Sequence, residues 1–442
     1  MALESEPRHT SRVVASLVDR STENLHAATE GHHLVIGPGD EQTDRWQADG
    51  LELPDLAAMR QYRVDRTTAQ LAADGYDALI VLDPMNIRYV SDTTNMQLWV
   101  MHNATRYAFV GGDGHVVVWD YTGCEFLSGH SHVIAEVRPA LGLNYFSGGS
   151  RRAEFAKQWA DEMISLIVER HGSNARIALD GAPIDCYRHL EAAGITVGDG
   201  QAVMEQARRI KGPDELRAMR CSVHACEASM NDMLLAVEPG MTERDVWALL
   251  HAGNIRRGGE WIETQILSSG PRTNPWMQEA SARHIEAGDI VAYDTDLVGS
   301  YGMMTDISRT WVVGGAPTAA QRELHAMAVE QLDRNVDLLA AGRTFYELSH
   351  QAWFPDPDDY RYYSCLFHGV GQCDEYPYVP FPMHWEAAGY DGVVEPGMCF
   401  TVESFIGPRA GGEGVKLENQ YVVTESGPEL LSRFPLDLVP DR

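Results

Sequence analysis

The sequence predicts an α+β protein with two folded domains behind a polar N-terminal arm. Three observations support this. The chain has 442 residues, 44% of them apolar, which is enough for more than one core of ordinary size. Between residues 56 and 200, segments of helical and strand-like periodicity alternate, as in an α/β domain. From about 205 the order changes: helices come first, then strand-like segments that carry single acidic residues among apolar ones. The expected division is an extended arm over 1–50, a first domain over 51–204 and a second over 205–442.

Residues 1–50 are polar and read as an arm suited to docking on a partner subunit. Leu56–Asp74 has apolar residues at helical spacing, with Gly75 as the stop. Ala78–Leu82 is a short apolar run, predicted as a buried strand, and Asp83-Pro84 as a turn. Tyr107–Val110 and His115–Trp119, split by Gly-Gly-Asp-Gly, predict a hairpin. A helix over 151–171, a strand over Arg176–Leu179 and a helix over 184–193 complete this domain. In the second domain Pro213, with Asp214 and Glu215 behind it, opens a helix that runs to about Val237. Thr242 and Asp245 form a capping-box pattern for the next helix. Beyond it lie a strand segment at Ile262–Ser269, a helix over 318–341 and strands at Met398–Ser404 and Gly414–Val423.

Bulk properties exclude several roles. A net charge of −29 argues against nucleic acid and anionic membranes as partners. No apolar run approaches the roughly 18 residues that span a bilayer. The first residues lack a basic region with an apolar segment behind it, so no secretory signal is expected and the reading is cytoplasmic. The cysteines (124, 186, 221, 226, 365, 373 and 399) are odd in number and lack a C-x-x-C pair. Reduced thiols are expected, and no cysteine zinc site.

The chemistry concentrates in Val291–Arg309, which holds Asp294, Asp296 and Asp306 in what reads as two short strands joined by a glycine-containing hairpin. Residues two apart on a strand share a face, so Asp294 and Asp296 point the same way. Burying them unpaired would cost several kcal/mol per ion, so they are either solvated or held by cations. Glu403 and Glu418 each lie in a later strand-like segment, and His368 precedes a Gly-rich turn. Singly, each has a bland reading: a surface glutamate, a turn histidine, a solvated hairpin. Together they suit two divalent ions of Mn, Fe, Co or Zn, since five carboxylates and two such ions are nearly neutral.

The motifs R-I-K-G-P-D-E-L-R-A-M-R, P-G-M-T-E-R-D, G-D-I-V-A-Y-D, T-D-I-S-R-T, H-G-V-G, G-M-C-F-T-V-E-S and V-K-L-E-N occur in this order over about 205–430. They resemble the "pita-bread" metallopeptidase superfamily of prolidase, Xaa-Pro aminopeptidase and creatinase. The resemblance implies a C-terminal pita-bread domain with a curved antiparallel sheet, preceded by a smaller creatinase/prolidase-like α/β domain. Three departures stand out. Asp294 is twelve residues before Asp306 and Asp296 ten, either side of the usual family spacing, which implies a one-residue bulge. Asp374 stands where the peptidases carry a second histidine. Pro275 and Trp276 come after Ser-Gly-Pro-Arg-Thr-Asn, where another histidine is usual.

This altered pattern resembles the DddP-type dimethylsulfoniopropionate lyases. That resemblance implies a homodimeric cytoplasmic enzyme with two divalent metal ions, iron in the family. Metal ligands would be Asp294, Asp296, Asp306, His368, Glu403 and Glu418, with Asp374 as catalytic base. The substrate would be a small zwitterionic sulfonium carboxylate. Aromatic faces suit a sulfonium, and Tyr363, Tyr376, Trp99 and Trp276 are the candidates. The alternatives are a di-metal Xaa-Pro aminopeptidase or prolidase, and a non-catalytic binding module.

Overall fold

The structure is a computed structural model, described for residues 37–439, which divide into two units. Residues 1–36, most of the expected arm, lie outside the described residues.

The first unit covers residues 55–208. Its strands are β1 (Ala78–Val81), β2 (Tyr107–Gly111), β3 (Val116–Asp120), β4 (Ile134–Pro139), β5 (Arg176–Leu179) and β6 (Thr196–Asp199). They form one mixed sheet in the order β4-β3-β2-β1-β5-β6. β1 alternates its side chains between two cores: Ala78 and Ile80 join Trp119 and Trp159, while Leu79 and Val81 join Val64 and Leu71. Both faces of the sheet are therefore covered, and β1 reads as an unbroken apolar run. The helix Leu56–Asp74 ends at Gly75 with φ 72°, the left-handed C-cap the sequence indicates. Asp83-Pro84 is not a turn. Asp83 caps the helix Pro84–Ser91 by accepting from the Met85 and Asn86 amides, and Pro84 fills the first turn.

The second unit covers residues 37–54 and 209–439. Residues 40–48, expected in an extended arm, form the helix Asp40–Ala48 because Trp46 is fully buried against Cys221 and Ala225. The helix Pro213–Ala236 comes next, then Glu243–Arg256, with Thr242 and Asp245 in a reciprocal capping box.

The strands begin with β7 (Trp261–Ile262), β8 (Leu267–Ser269), β9 (Ile290–Asp294), β10 (Leu297–Val298), β11 (Met304–Thr305) and β12 (Ser308–Val312). The aspartate stretch is thus four short strands shared between two sheets, β11-β10-β7 and β12-β9-β8, rather than one hairpin. The break falls at Asp296, whose φ of 36° no regular strand permits.

Then come β13 (Tyr360–Arg361), β14 (Phe367–Val370), β15 (Asp374–Val379), β16 (Cys399–Pro408), β17 (Val415–Thr424) and β18 (Gly427–Leu430), in an antiparallel sheet of order β15-β14-β16-β17-β18 with β13 on β16. β16 and β17 are buried along almost their whole length, under the helix Ala319–Val336. Their register sets Glu403 directly opposite Glu418. Like charges in that position destabilise a sheet unless something compensates.

Asp92 ends the helix Pro84–Ser91 at φ 52° and is held by Arg60 at 2.7 Å and Arg88 at 3.2 Å. Burial alone would raise its pKa, but Arg88, Arg60 and Arg63 overcome that and lower it to about 2. A depressed carboxyl contributes stability above its unfolded pKa of about 4 and loses it as the pH falls towards 2. Asp92→Asn should cost the first unit about 2–3 kcal/mol at neutral pH. Denaturant unfolding at pH 7 and pH 3 should show a smaller difference between wild type and variant at the lower pH.

Candidate active site

Five of the six expected ligands converge in the second unit, each delivered by its own local device. Asp294 is the last residue of β9 and pairs with Ser308. Asp306 lies between β11 and β12. His368 sits on β14 next to a register shift at Gly369, and Glu403 and Glu418 face each other across β16 and β17. All are buried. His368 Nε2 is 3.2 Å from Glu403, 3.4 Å from Asp306 and 3.7 Å from Glu418. Three groups bring ligand atoms within 4.8 Å of one another: Asp294, Asp306 and Glu418; Asp306, His368 and Asp374; and Cys365, His368 and Glu403. Asp296 belongs to none of the three. It accepts from the Thr264 hydroxyl, and its carbonyl accepts from Glu263 N at 2.9 Å.

Lys416 is the residue that sequence reasoning missed. It is wholly buried, and its ammonium lies 2.7 Å from Glu403, 2.9 Å from Glu418 and 3.4 Å from Asp294, with Ser308 Oγ at 2.6 Å. The signal is present in V-K-L-E-N: a lysine two residues before Glu418, on the same face of an otherwise apolar strand. The ammonium also lies over the rings of Tyr363, 4.9 Å to the centroid, and Trp276, 5.7 Å.

The electrostatics arise from burying like charges together. Burial first, then Asp294, raises the Asp296 carboxyl well above the ordinary range. Burial, Glu418 and Asp294 do the same to Asp306. Burial would lower the Lys416 pKa, yet Asp294, Glu403 and Glu418 hold it well above the usual value. Burial would also lower His368, but Asp374, Glu403 and Glu418 carry it to about 10.

The residues fit two divalent cations. Asp306 Oδ1 and Glu418 Oε1 are buried with no hydrogen-bond donor among the described residues. Five carboxylates and one ammonium leave a charge that two such ions match, and oxygen donors with one imidazole suit Mn, Fe, Co or Zn.

Asp374 differs from the rest. Its side chain is 62% exposed, at the open edge of the cluster, with one oxygen 3.7 Å from His368 Nδ1. Burial and then the charges of Glu418, Asp294 and Glu375 raise its pKa against the opposing His368. With so much of it exposed, carboxylate repulsion is the stronger cause. The next residue, Glu375, is buried and pairs with buried Lys211 at 2.7 Å, and it accepts from Gln372 N at 3.0 Å.

Of the expected aromatic partners, Tyr363 and Trp276 lie at the cluster through Lys416. Tyr376 is taken up by Phe345 and by Tyr390, which it stacks on at 5.7 Å. Trp99 lies in the first unit, against Tyr121 and Phe146.

Comparison with known proteins gives consistent results. The family model of metallopeptidase family M24 matches residues 217–425, and that of the creatinase/prolidase N-terminal domain matches 63–210. The dimethylsulfoniopropionate lyase DddP of Roseovarius nubinhibens is 44% identical over 416 residues, covering 92% of this chain and 93% of its own. That of Roseobacter denitrificans is 43% identical over 414 residues, covering 92% of each. Among solved structures, a Xaa-Pro dipeptidase from Bacillus anthracis superposes with a TM-score of 0.69 at 22% identity, covering 86% of this chain and 99% of its own. The fold is therefore a creatinase-type α/β domain and, after it, a pita-bread domain, as the sequence predicts.

As the internal counter-ion of the cluster, Lys416 should matter most when metal is absent. Lys416→Met should destabilise the metal-free protein by about 3–5 kcal/mol, the usual effect of leaving buried charge unpaired. The metal-loaded protein should lose less. Thermal unfolding with and without a chelator measures both, and equal losses would contradict this role.

Proposed function

The chain belongs to the family of DddP-type dimethylsulfoniopropionate lyases, and on that premise we propose that it cleaves dimethylsulfoniopropionate to dimethyl sulfide and acrylate by base-promoted β-elimination. The observation that carries the reading is Asp374: an exposed carboxylate of raised pKa, beside an otherwise buried ligand cluster, where the related peptidases carry a histidine.

Elimination requires one proton to leave the α-carbon while the carbon–sulfur bond breaks. The C–H electron pair becomes the new double bond, and the sulfur departs with the C–S pair as neutral dimethyl sulfide. Asp374 is the acceptor of that proton. A carboxyl pKa raised towards the working pH improves a general base; crowding by Glu418 and Asp294 raises it in the metal-free site, and bound cations would oppose that shift. His368 Nδ1 lies 3.7 Å away, with the Gly369 carbonyl as its own hydrogen-bond partner at 3.1 Å. Two bound divalent ions, held by Asp294, Asp296, Asp306, His368, Glu403 and Glu418, would supply Lewis-acid stabilisation of negative charge developing on the substrate carboxylate. Tyr363 and Trp276 offer ring faces to the sulfonium, as they already do to the Lys416 ammonium. Tyr376 and Trp99 remain candidates for the same role by sequence position. No water needs activating, so the absence of the peptidase histidines costs this reaction nothing.

The same reading takes iron as the metal and a cytoplasmic homodimer as the working form. Among the described residues no helix is long and apolar enough to cross a membrane. The competing reading, a di-metal Xaa-Pro peptidase, is supported by the full ligand set.

Headspace assay of dimethyl sulfide, run beside hydrolysis of a Gly-Pro dipeptide, separates the two. Sulfide without free proline is expected, and proline without sulfide would sink the lyase. Asp374→Ala should lower sulfide release at least about a hundredfold, with metal content unchanged by elemental analysis. Loss of metal together with activity would make Asp374 a ligand instead of the base.

A further inference from the structure

Helix capping accounts for only part of the motif P-G-M-T-E-R-D. Thr242 and Asp245 form the capping box of the helix Glu243–Arg256 between themselves, and Glu243 has no share in it. Its side chain is fully buried. A buried carboxylate must be matched by donors, and this one is met by two serines and an arginine. Oε1 accepts from the Ser269 N–H and hydroxyl, both at 2.8 Å. Oε2 accepts from the Ser281 N–H at 2.9 Å, from its hydroxyl at 2.6 Å and from the Arg272 guanidinium. Burial would raise the Glu243 pKa, but the Ser281, Ser269 and Arg272 donors hold it below the ordinary value. Glu243 is thus an ionised group outside the metal cluster that the proposed reaction does not use.

The two serines are the stems of one loop. Ser269 ends β8, and the Ser281 carbonyl accepts from Arg244 N at 3.2 Å where the chain returns. The return stem also has Ala280 N on the Gln265 carbonyl at 2.8 Å. The Glu243 carboxylate ties both stems together, one oxygen to each. Between them Pro271, Pro275, Met277 and Glu279 are exposed, so the loop has little core of its own. Trp276 is its large buried side chain, stacked on Phe405 at 6.0 Å and 5.7 Å from the Lys416 ammonium. The tip is held by two bonds of 2.9 Å, from Asn274 Nδ2 to the Pro408 carbonyl and from Gly414 N to Thr273 Oγ1. The direction from which the loop reaches that tip is set at its stems.

We infer that Glu243 is the positioning residue for Trp276: by closing the loop at both stems, its carboxylate sets the face that the indole turns to the substrate cation. The inference rests on the proposed reaction for what the ring meets, and not for how the ring is held.

Glu243→Gln keeps the shape but puts an NH2 group against the donors of one stem or the other. Metal-loaded protein labelled with 5-fluorotryptophan has ten labelled rings, and Trp276→Phe identifies the fluorine resonance of residue 276. In Glu243→Gln that resonance should move or broaden more than any other. KM for dimethylsulfoniopropionate should rise about tenfold, the scale of a cation–π contact in a desolvated site. Turnover should stay within about threefold of wild type, as for a loss of uniform binding, and metal content should be unchanged. Trp276→Ala should raise KM by a similar factor, and Glu243→Gln should add little to it, because both act on one contact. Arg272→Gln, which leaves the carboxylate and its serines in place, should give the same signature more weakly and serves if Glu243→Gln does not fold. The inference fails if the Trp276 resonance is unmoved in the variants that fold, or if the KM effects of Glu243→Gln and Trp276→Ala multiply in full. A loss confined to thermal stability or to turnover would make Glu243 a structural residue only. A displaced resonance without sulfide release from wild type would keep the positioning role and remove the lyase reading. Sulfide release with the resonance unmoved would do the reverse.

Discussion

The second unit depends on one electrostatic constraint: five carboxylates lie buried within a few ångströms of one another. At about 4 Å and an effective dielectric of 20, each like-charged pair is unfavourable by about 4 kcal/mol. No ordinary amount of apolar packing offsets several such pairs. As a set of anions the cluster is tolerable only with cations inside it, and the chain supplies one of its own. Lys416 touches Asp294, Glu403 and Glu418, three of the five. What its single charge cannot balance is the specification for two divalent ions. The same constraint explains why β16 and β17 can place Glu403 opposite Glu418, a pairing that a sheet without counter-ions would reject.

The strands around the cluster are tied together mainly through backbone carbonyls and side-chain amide or hydroxyl oxygens, not through the carboxylates. Arg309 threads between β12 and β17 and gives its donors to the carbonyls of Ser308, Glu418 and Phe434 and to Asn419 Oδ1. Thr310 bonds the backbone of Lys416 in both directions, at 2.7 and 3.0 Å. The strand after Asp306 is thereby tied to the strand carrying Glu418, although they belong to different sheets. Arg309 spends its charge on backbone carbonyls, so it does not compete with metal for a carboxylate.

Most of this is legible in the sequence, and the misses share a cause. Helices with a cap and a stop, such as Leu56–Asp74 and Glu243–Arg256, announce themselves because both signals are local. Asp83-Pro84 is ambiguous because the same dipeptide opens a turn or a helix, and only the residues after it decide. The aspartate stretch reads as one hairpin because periodicity cannot show that Thr264, thirty-two residues earlier, takes hold of Asp296 and bends the chain there. The expected ligand set is visible as a pattern of charges in apolar strands. Lys416 obeys the same rule, but a lone lysine in a strand gives no hint of the three distant carboxylates it will meet. Tyr376 is near His368 in sequence, while Phe345 and Tyr390, which occupy its ring, are distant from that histidine.

Asp374 and Glu375 are neighbours on one strand, and a strand sends neighbours to opposite sides. Glu375 goes inward to Lys211 and secures the turn; Asp374 goes outward and stays exposed. Anchorage and exposure are thus carried by separate residues, one position apart. A substitution at 374 can change the charge at the rim of the site without disturbing the peg that holds the rim in place. A rim built this way can be altered at one exposed position while the buried pair beside it is kept. The residue to watch when tracing how such chemistries diverge is therefore the exposed one, while the buried pair beside it records only that the scaffold was kept.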